Sequence, residues 1–514
     1  DLKTFNDKHT LGVTLLQSIQ EDKRESVNVA MENLPADNLK YYDLGSGLVT
    51  NTIGSSMIKW NMASFMGRIN YNYLGRYLLT VSARYDGSSR LADGHKWVFF
   101  PSAALAWRIN EESFMSSTSG WLDNLKLRLG FGKTGNSAVD PYQTKGTLSL
   151  IRYPFDNGGT PTIGYAPNAM ANSLLTWETT DQWNLGIDFG VLRGRINGTI
   201  DLYMQNTHDL LLKRQLPVVS GFPDVLSNVG KTRNKGIEVS INSMNINSKD
   251  FQWTTDLMLS SNKEEIVELY NGKNDDIGSK WFIGQPVNVH YDYRKVGIWQ
   301  NTESDLAEMA KFAANGTEFA PGDIKIQDVN GDYKITDADK QILGNPRPKL
   351  IASMVNTFNY KGFDLSVFLY ASFGAMLYND IYAVEHCGRN GGVKVDYWTP
   401  NNPTNAYPRP SIDEERPIYI TSTYYEKADF LRVKTMTLGY TLPKTLTNKF
   451  LVEKLRVYFT AQNPFIFTNY TGIDPEAAKV NSAGNPETNG SGFGTPSVSS
   501  WIFGINLNSA AILF

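Results

Sequence analysis

Residues 183–204 read WNLGIDFGVLRGRINGTIDLYM. Trp183, Leu185, Ile187 and Phe189 alternate with Asn184, Gly186 and Asp188. After a turn, Ile196, Gly198, Ile200, Leu202 and Met204 alternate with Asn197, Thr199, Asp201 and Tyr203. A period of two is the signature of β-strands with one apolar and one polar face. Each arm is about ten residues long, enough to cross a bilayer when tilted. The polar face carries mid-strand Asp and Arg. Such a face suits a watery lumen, with the apolar face on lipid, or a solvated surface, with the apolar face on a second sheet.

Composition narrows the classes. The chain has 514 residues, larger than an ordinary soluble domain, whereas a barrel grows by adding hairpins. Its 26 Tyr, 25 Phe and 11 Trp suit aromatic girdles, and equally a carbohydrate-binding surface. No run of about 18 apolar residues predicts a helical membrane span. The net charge of −3 argues against a nucleic-acid partner. One cysteine, Cys387, rules out an intramolecular disulfide and thiolate metal clusters. No signal peptide opens the chain, as expected of a mature or truncated piece.

The hairpin pattern recurs. A first strand is predicted over 9–20, followed by a polar, irregular stretch over 21–54 with a short helix near Glu25–Asn33. Gly67, Ile69, Tyr71 and Tyr73 then oppose Arg68, Asn70 and Asn72. A tight turn at 74–76 leads to Tyr77, Leu79, Val81, Ala83 and Tyr85, and the tyrosines at this turn mark an interfacial belt. Further strands carry Pro101 to Ile109, Leu125 to Phe131, Ile237 to Ile241, Phe251 to Leu259, Leu350–Phe358, Phe363–Phe373, Leu431–Leu442, Leu455–Phe467 and Trp501–Phe514. A helix is predicted over Glu303–Phe312. Short turns follow residues 73, 190, 247 and 360. Long loops cover 136–174, 264–347, 374–427 and 470–497, with a smaller one at 214–227. Alternation of short turns with long loops is outer-membrane barrel topology, with about fourteen to sixteen strands.

Several motifs carry a family resemblance. They are Ala83-Arg84-Tyr85-Asp86-Gly87-Ser88-Ser89, Phe100-Pro101-Ser102 with Ala106-Trp107-Arg108-Ile109, and Leu125-Lys126-Leu127-Arg128 with Gly132-Lys133-Thr134-Gly135-Asn136. Then come Asn234-Lys235-Gly236-Ile237-Glu238, Pro321-Gly322-Asp323, Asp328-Val329-Asn330-Gly331-Asp332, Phe430-Leu431-Arg432-Val433-Lys434, Leu438-Gly439-Tyr440-Thr441-Leu442-Pro443 and Ala461-Gln462-Asn463-Pro464. In this order the chain resembles the SusC/RagA family of TonB-dependent outer-membrane transporters. The resemblance implies an all-β, transmembrane antiparallel barrel of the large, plugged type. It places residues 1–514 in the C-terminal part of that barrel, with the plug, the TonB-contacting segment and the first strands ahead of Asp1. It further implies a bacterial outer-membrane location, lipid around the barrel and a SusD-like surface lipoprotein as lid. The implied task is TonB-energised uptake of oligosaccharides first and oligopeptides second, with no cofactor required.

Local chemistry offers one sharp motif. Asp328, Asn330 and Asp332 at positions 1, 3 and 5, the Lys334 carbonyl at 7 and Asp339 at 12 have EF-hand-like calcium spacing. Two departures stand against it: Gly331 at position 4 with Tyr333 at position 6, and Asp in place of Glu at position 12. A polar turn closed by its own side chains is the competing account. The five histidines, His9, His95, His208, His290 and His386, sit in no nucleophile-elbow context, and no catalytic residue is assigned. Arg68, Arg84, Lys126, Arg128, Asp188, Asp201, Glu238 and Asp256 are predicted to face the lumen, as a solute path, a plug contact or simply a solvated wall. Trp281, Phe282, Tyr291, Tyr293, Trp299 and Trp398 are placed in loops, to stack on sugar rings or to pack the loops together or against a partner. Phe514 resembles the terminal aromatic that signals barrel assembly. The alternative to an importer is a soluble β-rich glycan-binding protein or glycan-active enzyme; a passive porin is a third reading.

Overall fold

The structure is a computed structural model. It describes all residues except 1, 6–7, 154, 156–161, 380–393, 411–415, 448, 450–451, 477–496 and 510–514. His386, Cys387 and Phe514 therefore lie outside the described residues. One antiparallel sheet of 15 strands dominates the chain, each strand paired with its sequence neighbours within the sheet. The strands are β1 (Leu2–Phe5), β2 (His9–Glu32), β3 (Val49–Tyr73), β4 (Tyr77–Ser88), β5 (Trp97–Arg108), β6 (Leu122–Asn136), β7 (Glu178–Val191), β8 (Ile196–His208), β9 (Lys231–Asn247), β10 (Phe251–Glu268), β11 (Leu350–Tyr360), β12 (Phe363–Phe373), β13 (Phe430–Thr441), β14 (Val452–Thr468) and β15 (Ser500–Ser509). Among the described residues the strand number falls in the predicted range, and the tight turns after 73, 190, 247 and 360 alternate with long connections, except that Ser88–Trp97 is bridged by a shorter segment than Arg108–Leu122.

Register carries the apolar pattern across the sheet. Leu11, Tyr71, Leu79, Leu105, Leu129, Leu185, Leu202 and Ile237 are paired in one continuous row over eight strands. Leu185 and Leu202 stay exposed, as do Leu15 and Phe503 elsewhere on this face. A soluble sheet would cover such a row; a membrane wall leaves it for lipid. Aromatic rings border the band. At the short-turn end His9, Tyr73, Tyr77 and Trp107 line up with centroids 4.8 to 6.4 Å apart. The Tyr77 hydroxyl and the Trp107 indole N–H both donate to Glu112, at 2.6 and 3.0 Å. Toward the loop end Phe65, Tyr85 and Trp97 stack, the last two at 5.0 Å. Tyr77 and Tyr85 stand eight residues apart on β4, about 26 Å of strand, close to the height of a membrane-facing band.

Two expectations change. Of the stretch expected to be irregular, residues 21–32 and 49–54 are strand and 33–48 are not: β2 runs to Glu32 and β3 begins at Val49, so the helix near Glu25–Asn33 does not form. β3 meets β4 only from Met62 onward, so the far half of the β2–β3 hairpin has each strand as the other's partner within the sheet. Most of β2 from Glu21 to Glu32 is exposed, so it has no need of one-sided alternation, which is why its strand character was hidden. The loops also carry their own hairpins, among them Thr147–Tyr153 with Thr162–Ala169 and Leu211–Gln215 with Asp224–Asn228.

The long loops between β10 and β13 fold into a body with an ordinary buried core. Strand Lys295–Ile298 pairs with Ile324–Ile326, and His290–Asp292 with Gln341–Gly344. The predicted helix is present as α1 (Glu303–Ala314), capped by Thr302, whose hydroxyl accepts from the Asp305 N–H at 3.3 Å. Ile298, Ile324, Ile326, Trp398, Ile420 and Tyr424 form one buried cluster; Trp299, Met309 and Phe312 form a second beside it.

Candidate functional site

The inner face of the sheet holds the polar residues that the pairing leaves opposite the lipid row. Near the short turns, Arg128 reaches Asp188 at 2.8 Å and Asp201 at 3.0 Å, and Lys126 reaches Asp188 at 3.3 Å. Arg128 lies across Gly186, where a Cβ would stand 2.5 Å from the guanidinium carbon. Arg84 bonds Asp86 at 2.7 Å and Ser64 at 2.9 Å. Asp256 accepts from the Asn242 amide. Register puts Arg68 and Glu238 on the same face, Arg68 opposite Ser82 and Glu238 opposite Asp201. All eight residues expected in the lumen thus share one face, and several neutralise each other. Opposite charges already paired in a wet lumen serve as wall more than as free binding groups.

Above this charged floor, toward the long loops, lie two rows with a different character. Gln182, Gln205, Asn234 and Glu264 are neighbours across β7 to β10; Asn184, Tyr203, Gly236 and Asn262 form the next row. All of these but Gly236, with Glu238 and Arg347, line a recess of about 500 Å³. Asn262, Glu264 and Arg347 also line a second recess of about 850 Å³ beneath residues 284–289 and 342–349, so the concave surface continues from wall to loop body. At the junction the Arg347 guanidinium holds Glu264 at 3.1 Å, and Glu264 also accepts from the Val287 N–H at 3.2 Å. The expectations drawn from sequence did not include these amides. Their signal was there, since Gln182, Asn184 and Gln205 occupy the polar positions of the deciding hairpin.

On the far side of the wall, Arg432 clasps Asp474 at 2.5 Å and Glu476 at 2.8 Å, and Lys434 pairs with the same glutamate. Burial alone would raise the Asp474 pKa. The Glu476 and Ser497 backbone N–H groups and the Arg432 charge outweigh it and hold that carboxyl below its usual range. This clasp ties the segment after β14 to β13.

The loop aromatics separate into roles. Trp299 is fully buried between Phe312 and Phe319, at 5.9 and 5.5 Å, with the Lys325 ammonium 4.0 Å above its ring. Trp398 is buried and donates to Gln300 Oε1 at 2.8 Å. Phe282 packs on Tyr291 at 4.8 Å, and Tyr293 on Tyr419 at 5.0 Å. These rings pack the loops together; Trp281, Tyr291 and Tyr293 keep partly exposed faces.

The 328–339 loop closes on itself. Asp328 accepts from the Gly331 and Tyr333 N–H groups at 2.7 and 2.8 Å. Asp332 accepts from the Lys334 N–H at 2.8 Å and the Asn330 amide at 2.9 Å. Fully buried Asp339 accepts from the Val329 and Thr336 N–H groups at 2.9 and 2.8 Å. Six carboxylate oxygens are thus engaged within the loop. Tyr333 takes the left-handed φ of 57° that the calcium motif gives to glycine. Among the described residues no group of three or more His, Cys, Asp or Glu stands where it could hold a metal ion. The observed donor set fits a self-closed turn. Three histidines are engaged structurally: His9 with the Tyr71 hydroxyl at 2.8 Å, buried His290 with the Met376 carbonyl at 2.8 Å, and His208 with the Asp181 carboxylate at 3.3 Å.

Comparison with known proteins fits this wall. The family model described as TonB dependent receptor-like, beta-barrel matches residues 14–463. TonB-dependent receptor P3 of Formosa agariphila is 32% identical over 97% of this chain and 50% of its own length. TonB-dependent receptor SusC of Bacteroides thetaiotaomicron is 35% identical over 81% of this chain and 41% of its own. The chain spans about half the length of the curated relatives it matches. Among solved structures, that of the RagAB peptide transporter superposes with a TM-score of 0.82 at 22% identity, covering 98% of this chain and 54% of that one, which shows the shared fold. A sheet with a lipid-facing outer row, a polar inner face and long loops at one end is an integral outer-membrane wall, and the chain belongs to the TonB-dependent receptor-like β-barrel family.

Proposed function

We propose that this chain forms the wall and outer loops of a SusC-like importer that moves a nutrient too large for a porin across the outer membrane. The observation that carries the reading is the concavity that is polar along the inner wall and continues to the underside of the loop body, backed by a lipid-facing outer row. Oligosaccharides or oligopeptides are the solutes in question, the first suggested by the likeness to SusC and the second by the likeness to the RagAB peptide transporter. A SusD-like lipoprotein over the loops would act as lid, and TonB would drive the passage through a part of the whole protein outside this chain. The transport step breaks no bond, so no catalytic residue is proposed.

Uptake of labelled oligosaccharides and peptides by cells with and without the full-length gene, and with and without TonB, tests this. Uptake is expected to need both. Uptake that needs the gene and persists without TonB identifies a passive pore. A protein recovered from the soluble fraction returns the reading to a glycan-binding protein or enzyme.

A further inference from the structure

We infer that the outer face of β2 to β5 holds an anionic glycolipid of the outer leaflet, its acyl chains in a groove over Gly67 and Ala83 and its charged sugars in a lysine-lined recess above. The inference goes beyond the importer reading and does not depend on which solute crosses. β3, β4 and β5 each have both sheet neighbours in this chain, so this stretch of wall is shaped by the chain's own residues. The first support is shape. Leu15, Gly67, Ala83 and Pro101 make one lipid-facing row; Gln17, Phe65, Tyr85 and Phe99 make the next. The middle of the lower row carries almost no side chain. The result is a shallow groove of about 590 Å³, with Gly67 and Ala83 at its base and exposed Leu15, Phe65 and Phe99 around it. A Cβ on Gly67 would meet only Leu15 Cδ2, at 3.7 Å, so the space is open. An acyl chain laid in such a dip gains dispersion contacts on both sides.

The dip leads upward. The following row is Ile19, Ala63, Gly87 and Trp97, and Trp97 lies over Gly87, where a Cβ would stand 2.5 Å from its ring. The wall therefore stays low past the aromatic border. Beyond it a recess of about 510 Å³ opens beside Lys59 and Asn61, which share the face of Phe65. The second support is charge. Lys59, Lys96 and Lys145 line the recess together with one carboxylate, Asp93. Lys96 pairs with Asp93 at 2.5 Å and Lys59 with Glu21 at 3.1 Å, while Lys145 makes no ion pair among the described residues. Lys23, opposite Lys59 on β2, pairs with Glu25 at 2.6 Å. Trp60, also in the lining, carries the Arg90 guanidinium 3.8 Å over its ring. The rim is fixed by the Tyr142 hydroxyl, which accepts from the Lys59 N–H at 3.1 Å and donates to the Lys59 carbonyl at 3.3 Å. Lysines held at a membrane edge attract anionic headgroups.

The third support is reach. Lys59 stands six residues beyond Phe65 on β3, roughly 20 Å of strand and roughly 15 Å of height at the usual tilt. The headgroup region of a phospholipid bilayer adds only about 5–8 Å on each side. A lipid that fills the groove and also meets these lysines needs a head of several sugars carrying phosphate or carboxylate groups.

The test uses the full-length protein, delipidated and held in mild detergent, with bound lipid counted by native mass spectrometry. The probes are Kdo2-lipid A, whose sugars carry phosphates and carboxylates, and dioleoylphosphatidylglycerol. Kdo2-lipid A is expected to bind on the order of tenfold more tightly. The Lys59→Gln/Lys145→Gln pair is expected to weaken it on the order of tenfold, and Gly67→Leu, which fills the groove, about fivefold. Lys249→Gln, in a short turn at the opposite rim, is expected to leave binding intact, and the barrel band in unheated gels reports folding of every variant. Equal binding of phosphatidylglycerol overturns the inference. So does an affinity that either the lysine pair or Gly67→Leu leaves untouched, or displacement of the glycolipid by millimolar inorganic phosphate alone. A protein dimer that excludes lipid and comes apart in Gly67→Leu overturns it too, and gives the groove to a second copy of the chain. The importer reading is tested apart from this, by TonB-dependent uptake in cells.

Discussion

The sheet and the loop body solve the problem of apolar side chains in opposite directions. In the loop body Trp299, Ile298, Phe312 and Ile324 turn inward and are almost wholly shielded, as in any soluble domain. In the sheet Leu185, Leu202 and Phe503 turn outward and remain exposed on the isolated chain. The sheet has no second layer because the bilayer is its second layer. One chain therefore contains a part whose core is protein and a part whose core is lipid. Their stabilities should respond to different perturbations.

Trp299→Ala sets the largest expected effect. Removing a fully buried indole costs about 3–5 kcal/mol, enough to unfold a small body, while the sheet should keep its resistance to detergent. Limited proteolysis should cut between residues 264 and 347 while the barrel band in unheated gels stays put. Loss of both together would mean that the two regions fold as one. Leu185→Arg comes next. On the lipid face near mid-strand it should cost about 2–4 kcal/mol, read as reduced folding yield into vesicles. Thr199→Arg, on the inner face close by, should cost far less. Equal penalties would break the assignment of faces.

A pH dependence sharpens the other side of the comparison. Lys295 in the loop body is partly buried, donates to the Ala406 carbonyl at 2.6 Å, and is pushed down to about 8 by desolvation. Its folded pKa lies below that of the unfolded chain, so the unfolded state binds more protons between pH 8 and about 10.5. Stability of the loop body should therefore rise with pH across that window. Below pH 8 the burial penalty is fully present. Lys295→Met should flatten the rise, as followed by Trp fluorescence during urea unfolding; an unchanged slope would assign it to another group. Calcium is the smallest expected effect. Millimolar calcium should leave the loop body's melting midpoint where it is, because the 328–339 carboxylates are occupied by backbone N–H groups. A rise of several degrees, abolished by Asp339→Asn, would reinstate a bound ion.

What could be read from sequence follows the same division. One-sided burial writes itself into a strand as alternation, so hairpins such as Gly67–Tyr85 and Trp183–Met204 were legible, and so were the faces of Arg128 and Asp201. Where neither face is buried the pattern fades, which concealed the strands through Asp22, Lys23 and Arg24. Helix α1 was legible from its own residues, with Asp305 three places after the Thr302 cap. The fate of Trp299 and Trp398 was not, since an aromatic in a loop looks the same whether it meets a solute or another loop. The burial of Trp398 depends on a segment about a hundred residues away, as in its bond with Gln300, and that of Trp299 on how helix α1 and Phe319 fold back over it. The amide rows escaped for a related reason. Gln182, Gln205 and Asn234 become neighbours only once register is known.

The glycines of the inner wall have a consequence for the size of the passage. Arg128 folds down over Gly186, Tyr203 over Gly236 and Arg456 over Gly439, each long side chain occupying the space a neighbour's Cβ would fill. A guanidinium or a phenol standing upright would reach well into the lumen. Laid flat, it adds little more than its own thickness. The clear bore of such a tube is therefore set by strand count and also by how many of its bulkiest residues are given a glycine to lie in.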